Sequence, residues 1–93
     1  MEHQMKKIEE ALGILQEECA EVIVEVSKIR RFGLDSTHYK TGQLHREMLA
    51  LEVGDMLALV DILTEFGILN TEELMLAKVA KKEKLRKWST IYD

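Results

Sequence analysis

One apolar seam constrains this chain more than any other feature. Met5, Ile8, Leu12, Leu15, Cys19, Val22, Val26 and Ile29 follow alternating steps of three and four. That is the repeat by which a helix lays a continuous stripe along a partner. Helix is expected from about His3 to Arg31, roughly 40 Å long at ~1.5 Å per residue. Gly13 weakens the pattern locally without breaking it. Lys28, Arg30 and Arg31 suit a last turn, where cations meet the negative end of the helix dipole, and Gly33 is the expected stop. A seam of this length demands an equally long partner.

The chain supplies further helices, with no proline to interrupt them. Phe32 to about Gly42 is the one real break, marked by the turn formers Asp35, Ser36, Thr37 and Gly42. A second helix is expected over roughly Gln43 to Phe66. Leu49, Val53, Met56, Val60 and Leu63 form one stripe on it, and Met48, Glu52, Asp55, Leu59, Ile62 and Phe66 a second. Gly67 ends it. Asn70, with Glu73 three residues on, opens a third helix that runs to about Trp88, with Leu74, Ala77, Lys81, Leu85 and Trp88 on one face. Ser89 to Asp93 reads as a loose tail. Trp88 is expected to pack against the end of the bundle, Cys19 to be a small core residue, and His38 and His45 to be exposed.

Residues 1–93 make a single domain with only a modest core. The expected fold class is all-α, an antiparallel helical bundle completed by a second copy, because two shorter helices cannot cover the first one's seam. The net charge of −4 argues against nucleic acid as a partner. Acids are spread as far as Glu73, while Lys78 to Lys87 is strongly basic. That combination suits a metal and a polyphosphate held together. No apolar run reaches membrane-spanning length, and Met1-Glu2-His3-Gln4 has none of the character of a signal peptide. The single cysteine fits a reducing compartment, so a cytoplasmic setting is expected.

The chemistry is concentrated in Glu17-Glu18-Cys19-Ala20-Glu21 and Glu52-Val53-Gly54-Asp55. Each stretch repeats carboxylates three residues apart, one turn along one helix face. Facing each other, Glu18, Glu21, Glu52 and Asp55 would form a cage of hard oxygen ligands, as a magnesium-dependent phosphate-cleaving site requires. A single Glu-x-x-Glu pair is ordinarily a solvated face. Glu52 and Asp55 carry more weight, because they stand where an apolar stripe calls for hydrophobic residues, and unpaired buried carboxylates are costly. Glu25 and Asp61 read as surface or salt-bridge residues, Glu25 pairing with Lys28.

Glu-Glu-x-x-Glu followed by Glu-x-x-Asp resembles the all-α nucleoside triphosphate pyrophosphohydrolases: the MazG-like proteins, the dimeric dUTPases and the phosphoribosyl-ATP pyrophosphohydrolases. Ser27-Lys28, Arg31-Phe32-Gly33, Leu51 to Leu57 and the basic Lys81 to Trp88 are similar to the short phage and bacterial MazG-like members. The gap between the two acidic halves is slightly longer than is usual for that family. The resemblance implies cleavage between the α and β phosphates to give a monophosphate and pyrophosphate. It makes Glu18, Glu21, Glu52 and Asp55 ligands of Mg2+, with Mn2+ as a substitute, and Glu17 the group that positions or deprotonates water. It also implies phosphate contacts from Lys28 and Arg31, supplemented by Lys78 and Lys82, and assembly as a homodimer or homotetramer. Phe32 and Tyr39 are the candidates to stack on the base.

Two readings compete with this one. A di-iron carboxylate bundle uses Glu-x-x-His on two helices, and no histidine here stands three residues after a glutamate. A non-catalytic helical dimer would keep the fold without turnover or stabilisation by magnesium.

Overall fold

A computed structural model describes residues 2–93. They form three helices, α1 (Glu2–Phe32), α2 (His45–Glu65) and α3 (Thr71–Trp88). There is no strand among the described residues, only an isolated bridge between Thr37 and Leu44.

The helix ends follow local chemistry. Gly33 adopts φ 103° and its N–H donates to Ile29 O at 2.7 Å, closing α1. Gly67, at φ 78°, closes α2: its N–H reaches Thr64 O and that of Ile68 reaches Leu63 O, each at 2.9 Å. That pair of bonds is the Schellman arrangement. Asn70 caps α3 by accepting from the Glu73 N–H at 3.0 Å. α2 begins two residues later than expected, because the backbone up to Leu44 is engaged in the loop. His38 N–H donates to Gln43 O, and His45 N–H to Ser36 O. An ion pair between Arg46 and Asp35 ties the loop to the first turn of α2.

α1 and α2 pack closely as a hairpin, whereas α3 barely touches them. Glu25 lies opposite His45, and Glu18 opposite Glu52, so the two helices run antiparallel. The molecule measures 47 × 39 × 14 Å, with a radius of gyration of 16.5 Å. A compact chain of this length would have a radius near 12 Å. One chain is therefore an open, flat unit with little interior, and Ala11 and Leu63 are its buried apolar residues.

Burial also moves the α1 seam. Ile8, Leu15, Val22 and Ile29 face inward as expected, but Ala11 and Glu25 take the places expected for Leu12 and Val26, and Glu18 shares its level with Cys19. Leu12 and Val26 are exposed, while Cys19 is half-buried, as Glu18 is. Two expectations fail at α3 and beyond. Trp88 is 80% exposed, because α3 does not fold back over the hairpin. The tail is tucked rather than loose: Ser89 Oγ donates to Leu85 O, and the Arg86 guanidinium lies 4.4 Å from the Tyr92 ring centre.

Candidate metal centre

The corrected seam places acids where two helices meet. On α1, Glu18 and Glu25 are seven residues apart; on α2, so are His45 and Glu52. Seven residues are two turns of a seam, so the hairpin carries two polar layers about 10 Å apart. One layer is Glu25 with His45; the other is Glu18 with Glu52.

The Glu25–His45 layer sets its acid against basic groups. Both residues are 4% exposed, and Glu25 Oε2 lies 3.5 Å from His45 Nδ1. Neither atom forms a hydrogen bond among the described residues. Glu25 Oε1 receives Lys28 Nζ at 3.4 Å, so the expected Glu25–Lys28 pair is present. Two expectations are corrected here. His45 is buried rather than exposed, because the loop bonds seat it under Phe32 and His38; Glu25 is buried rather than superficial, because it falls on the seam.

The Glu18–Glu52 layer has no such compensation. Carboxylate oxygens of Glu18, Glu52 and Asp55 all lie within 4.8 Å of one another. No lysine, arginine or histidine among the described residues forms an ion pair with any of them. The Glu52 carboxyl is pushed above its ordinary value, first by partial burial against α1 and then by the negative charges of Asp55, Glu21, Glu18 and Glu25. Glu18 and Glu52 are half-buried, while Asp55 and Glu21 are exposed at the edge of the hairpin. Glu21 acts on Glu52 through its charge but stands outside the closest group of three.

The donor set fits a hard divalent cation. Oxygens bound to one Mg2+ at about 2.1 Å stand at most ~4.2 Å apart, so oxygens within 4.8 Å of one another are close to that spacing. Three oxygens also leave positions free for water or phosphate, as is usual for this ion.

The remaining candidates are dispersed. Glu17 is exposed, about 100° around the helix from Glu18 and so turned off the seam. Lys28 is half-buried on the inner face of α1, one turn beyond Glu25 and nearly three beyond Glu18. Arg31 lies on the outer side of α1, its guanidinium 5.0 Å from the Phe32 ring centre. Lys78 sits in the elbow between α2 and α3, near Asp61 and Glu65. Lys82 is one turn further along α3, and within one chain neither is gathered with the carboxylates. Phe32 and Tyr39 flank a cavity at the loop end of the hairpin, together with Lys28, Thr37, His38 and His45. A larger hollow at Glu83, Lys84, Arg86, Lys87 and Trp88 is walled by α3 alone and is an open face.

Sequence reasoning missed the Glu25–His45 layer. The signal was present: Glu25 follows Glu18, and His45 precedes Glu52, by one heptad each. No protein-family model, curated protein or solved structure matches the chain.

Proposed function

We propose that this chain is a magnesium-dependent nucleoside triphosphate pyrophosphohydrolase, cleaving a ribo- or deoxyribonucleoside triphosphate to a monophosphate and pyrophosphate in the cytoplasm. Its role would be sanitation or control of nucleotide pools. One observation carries the reading: Glu18 and Glu52 oppose each other at seam positions, with Asp55 beside them and, among the described residues, no cation paired with the group. A half-buried acidic layer of this kind is costly on its own and becomes favourable around a divalent ion.

Glu18, Glu52 and Asp55 would hold the ion, and Glu21, one turn along α1, would complete the cage when a second ion binds. Bound Mg2+ acidifies water and screens phosphate charge; Mn2+ could replace it. Glu17 is the group assigned to orient or deprotonate the attacking water. Lys28 would meet the phosphates from the inner face of α1, with Arg31 at the rim. Lys78 and Lys82 would contribute from a neighbouring copy, since α3 departs from its own hairpin. The exposed apolar residues Ile23, Leu51, Met75, Leu76 and Trp88 support assembly as a homodimer or homotetramer.

The test is a screen of common nucleoside triphosphates with magnesium, resolving pyrophosphate from orthophosphate. Pyrophosphate release is expected. Orthophosphate alone would assign the chain to another hydrolase class, and no product would favour a non-catalytic helical dimer.

A further inference from the structure

The hairpin leaves one flank of α1 bare. Leu12 and Val26 are exposed there, Ile23 is 68% exposed, and Cys19 beside them is half-buried. Ser27, Arg30 and Arg31 join Ile23 and Val26 around a hollow on this flank. The whole chain exposes 7628 Å². A folded monomer of this mass exposes about 5,500 Å², so each chain carries roughly 2,000 Å² in excess. That exceeds the ~800 Å² a partner contributes to an ordinary protein interface. A molecule 14 Å across its thinnest dimension has no interior in which to hide it.

This flank is complementary to itself when turned end for end. With Cys19 opposite the partner's Ala20 in an antiparallel pair, Glu9 falls opposite the partner's Arg30. In the same register Leu12 meets the partner's Ser27, and Gly13 meets the partner's Val26. Large side chains therefore meet small ones along the middle, and opposite charges meet at both ends. A Cβ added at Gly13 would touch nothing within 4 Å, so the space above it is open to the partner's valine. A parallel pair sets Glu9 on Glu9 and Arg30 on Arg30 instead, which charge disfavours. Glu21, five residues past Gln16, lies about 140° round the helix from this flank, so the pairing leaves the acidic centre open.

We propose that two copies of the chain pair through this flank of α1, antiparallel about a two-fold axis beside Cys19 and Ala20. Leu12 of each copy sits in the hollow of the other. An isologous contact of this kind closes at two chains. It specifies one contact of the assembly proposed above and needs neither nucleotide nor metal, so it can fail while the acidic centre stands. Charge reversal tests the direction. Sedimentation equilibrium of the metal-free protein compares the wild type, Glu9→Arg, Arg30→Glu and the double variant. Both positions are exposed, and circular dichroism checks that the helices persist. Each single variant makes two attractive pairs repulsive and should raise the dissociation constant about tenfold. The double variant, or an equimolar mixture of the two single ones, should recover the wild-type value.

A second arm tests the position. Cys19 is the chain's only cysteine, and packed helix axes lie about 8–10 Å apart, so a short bismaleimide should join two wild-type chains through it. Cys19→Ala/Tyr39→Cys moves the thiol to an exposed loop site far from the axis, and the same reagent should then join none. A monomeric wild type, or single variants that dissociate no more readily than the wild type, would overturn the proposal. So would a double variant as weak as Arg30→Glu, the result expected if α3 of another copy covers this flank. Cross-linking through Tyr39→Cys but not through Cys19 would also overturn it.

Discussion

The two polar layers should respond to the same substitution with opposite signs. In the Glu25–His45 layer, Glu25→Leu removes the carboxylate that accepts from Lys28 Nζ and faces the buried imidazole. Both residues are only 4% exposed, and the lost acid takes with it the Lys28 hydrogen bond and the 3.5 Å approach to the imidazole, so a cost of about 1–3 kcal/mol is expected. For a domain of this size that corresponds to a melting temperature lower by roughly 5–20 °C. Glu25→Leu/His45→Leu replaces the pair with apolar side chains at seam positions and should recover most of the loss. In the other layer, Glu18→Leu or Glu52→Leu removes charge repulsion rather than a partner. Each single variant should therefore match or exceed the wild type in stability when chelator is present. The assay is thermal and urea unfolding followed by helical circular dichroism, at fixed protein concentration because an oligomer's stability depends on it. If Glu52→Leu loses as much stability in chelator as Glu25→Leu, the distinction between a compensated and an uncompensated layer is wrong.

Four further outcomes are expected. Glu52→Gln should abolish triphosphate turnover while keeping the helical spectrum, as read by product release and circular dichroism; full activity would remove Glu52 from the ligand set. The Glu52 carboxyl is held above its ordinary value of 4.5, so the metal-free fold favours its protonated form. The stability it contributes is therefore present below that value and lost as pH rises through the raised one. Stabilisation by Mg2+ needs the ionised form and should grow over the same interval, so a magnesium-induced melting shift independent of pH would count against the site. Leu63→Ala, at a side chain 1% exposed, should cost about 2–5 kcal/mol in urea unfolding. Sedimentation equilibrium should give a mass of at least two chains, and a strict monomer would leave the exposed apolar faces unexplained.

The helices were legible because their ends are local events. Gly33, Gly67 and Asn70 act through backbone bonds to residues within a turn or two, and sequence carries that information directly. Glu52 was legible as an acid interrupting an apolar stripe. The α1 seam was misread at two positions, because hydropathy selects Leu12 and Val26 over their neighbours Ala11 and Glu25. Only the face of α2, which brings His45 to the level of Glu25, decides between the two sets. His45 could not be read as buried, since its seating depends on loop bonds from Ser36 and Gln43. The departure of α3 was equally hidden. Its apolar residues predict a covered face but not which molecule covers it, and within one chain Trp88 is exposed.

The equal spacing of the two layers on both helices ties their alignment to a single phase. An extra residue inserted between Glu18 and Glu25 would swing one layer about 100° out of the groove while the other stayed in place. No sliding of the hairpin could then restore both. Added length between Gly33 and Leu44 would leave that phase intact, since loops accept insertions at small entropic cost. Variation in a chain built this way belongs in the connection, and the helical stretch between the two acids has to keep its count.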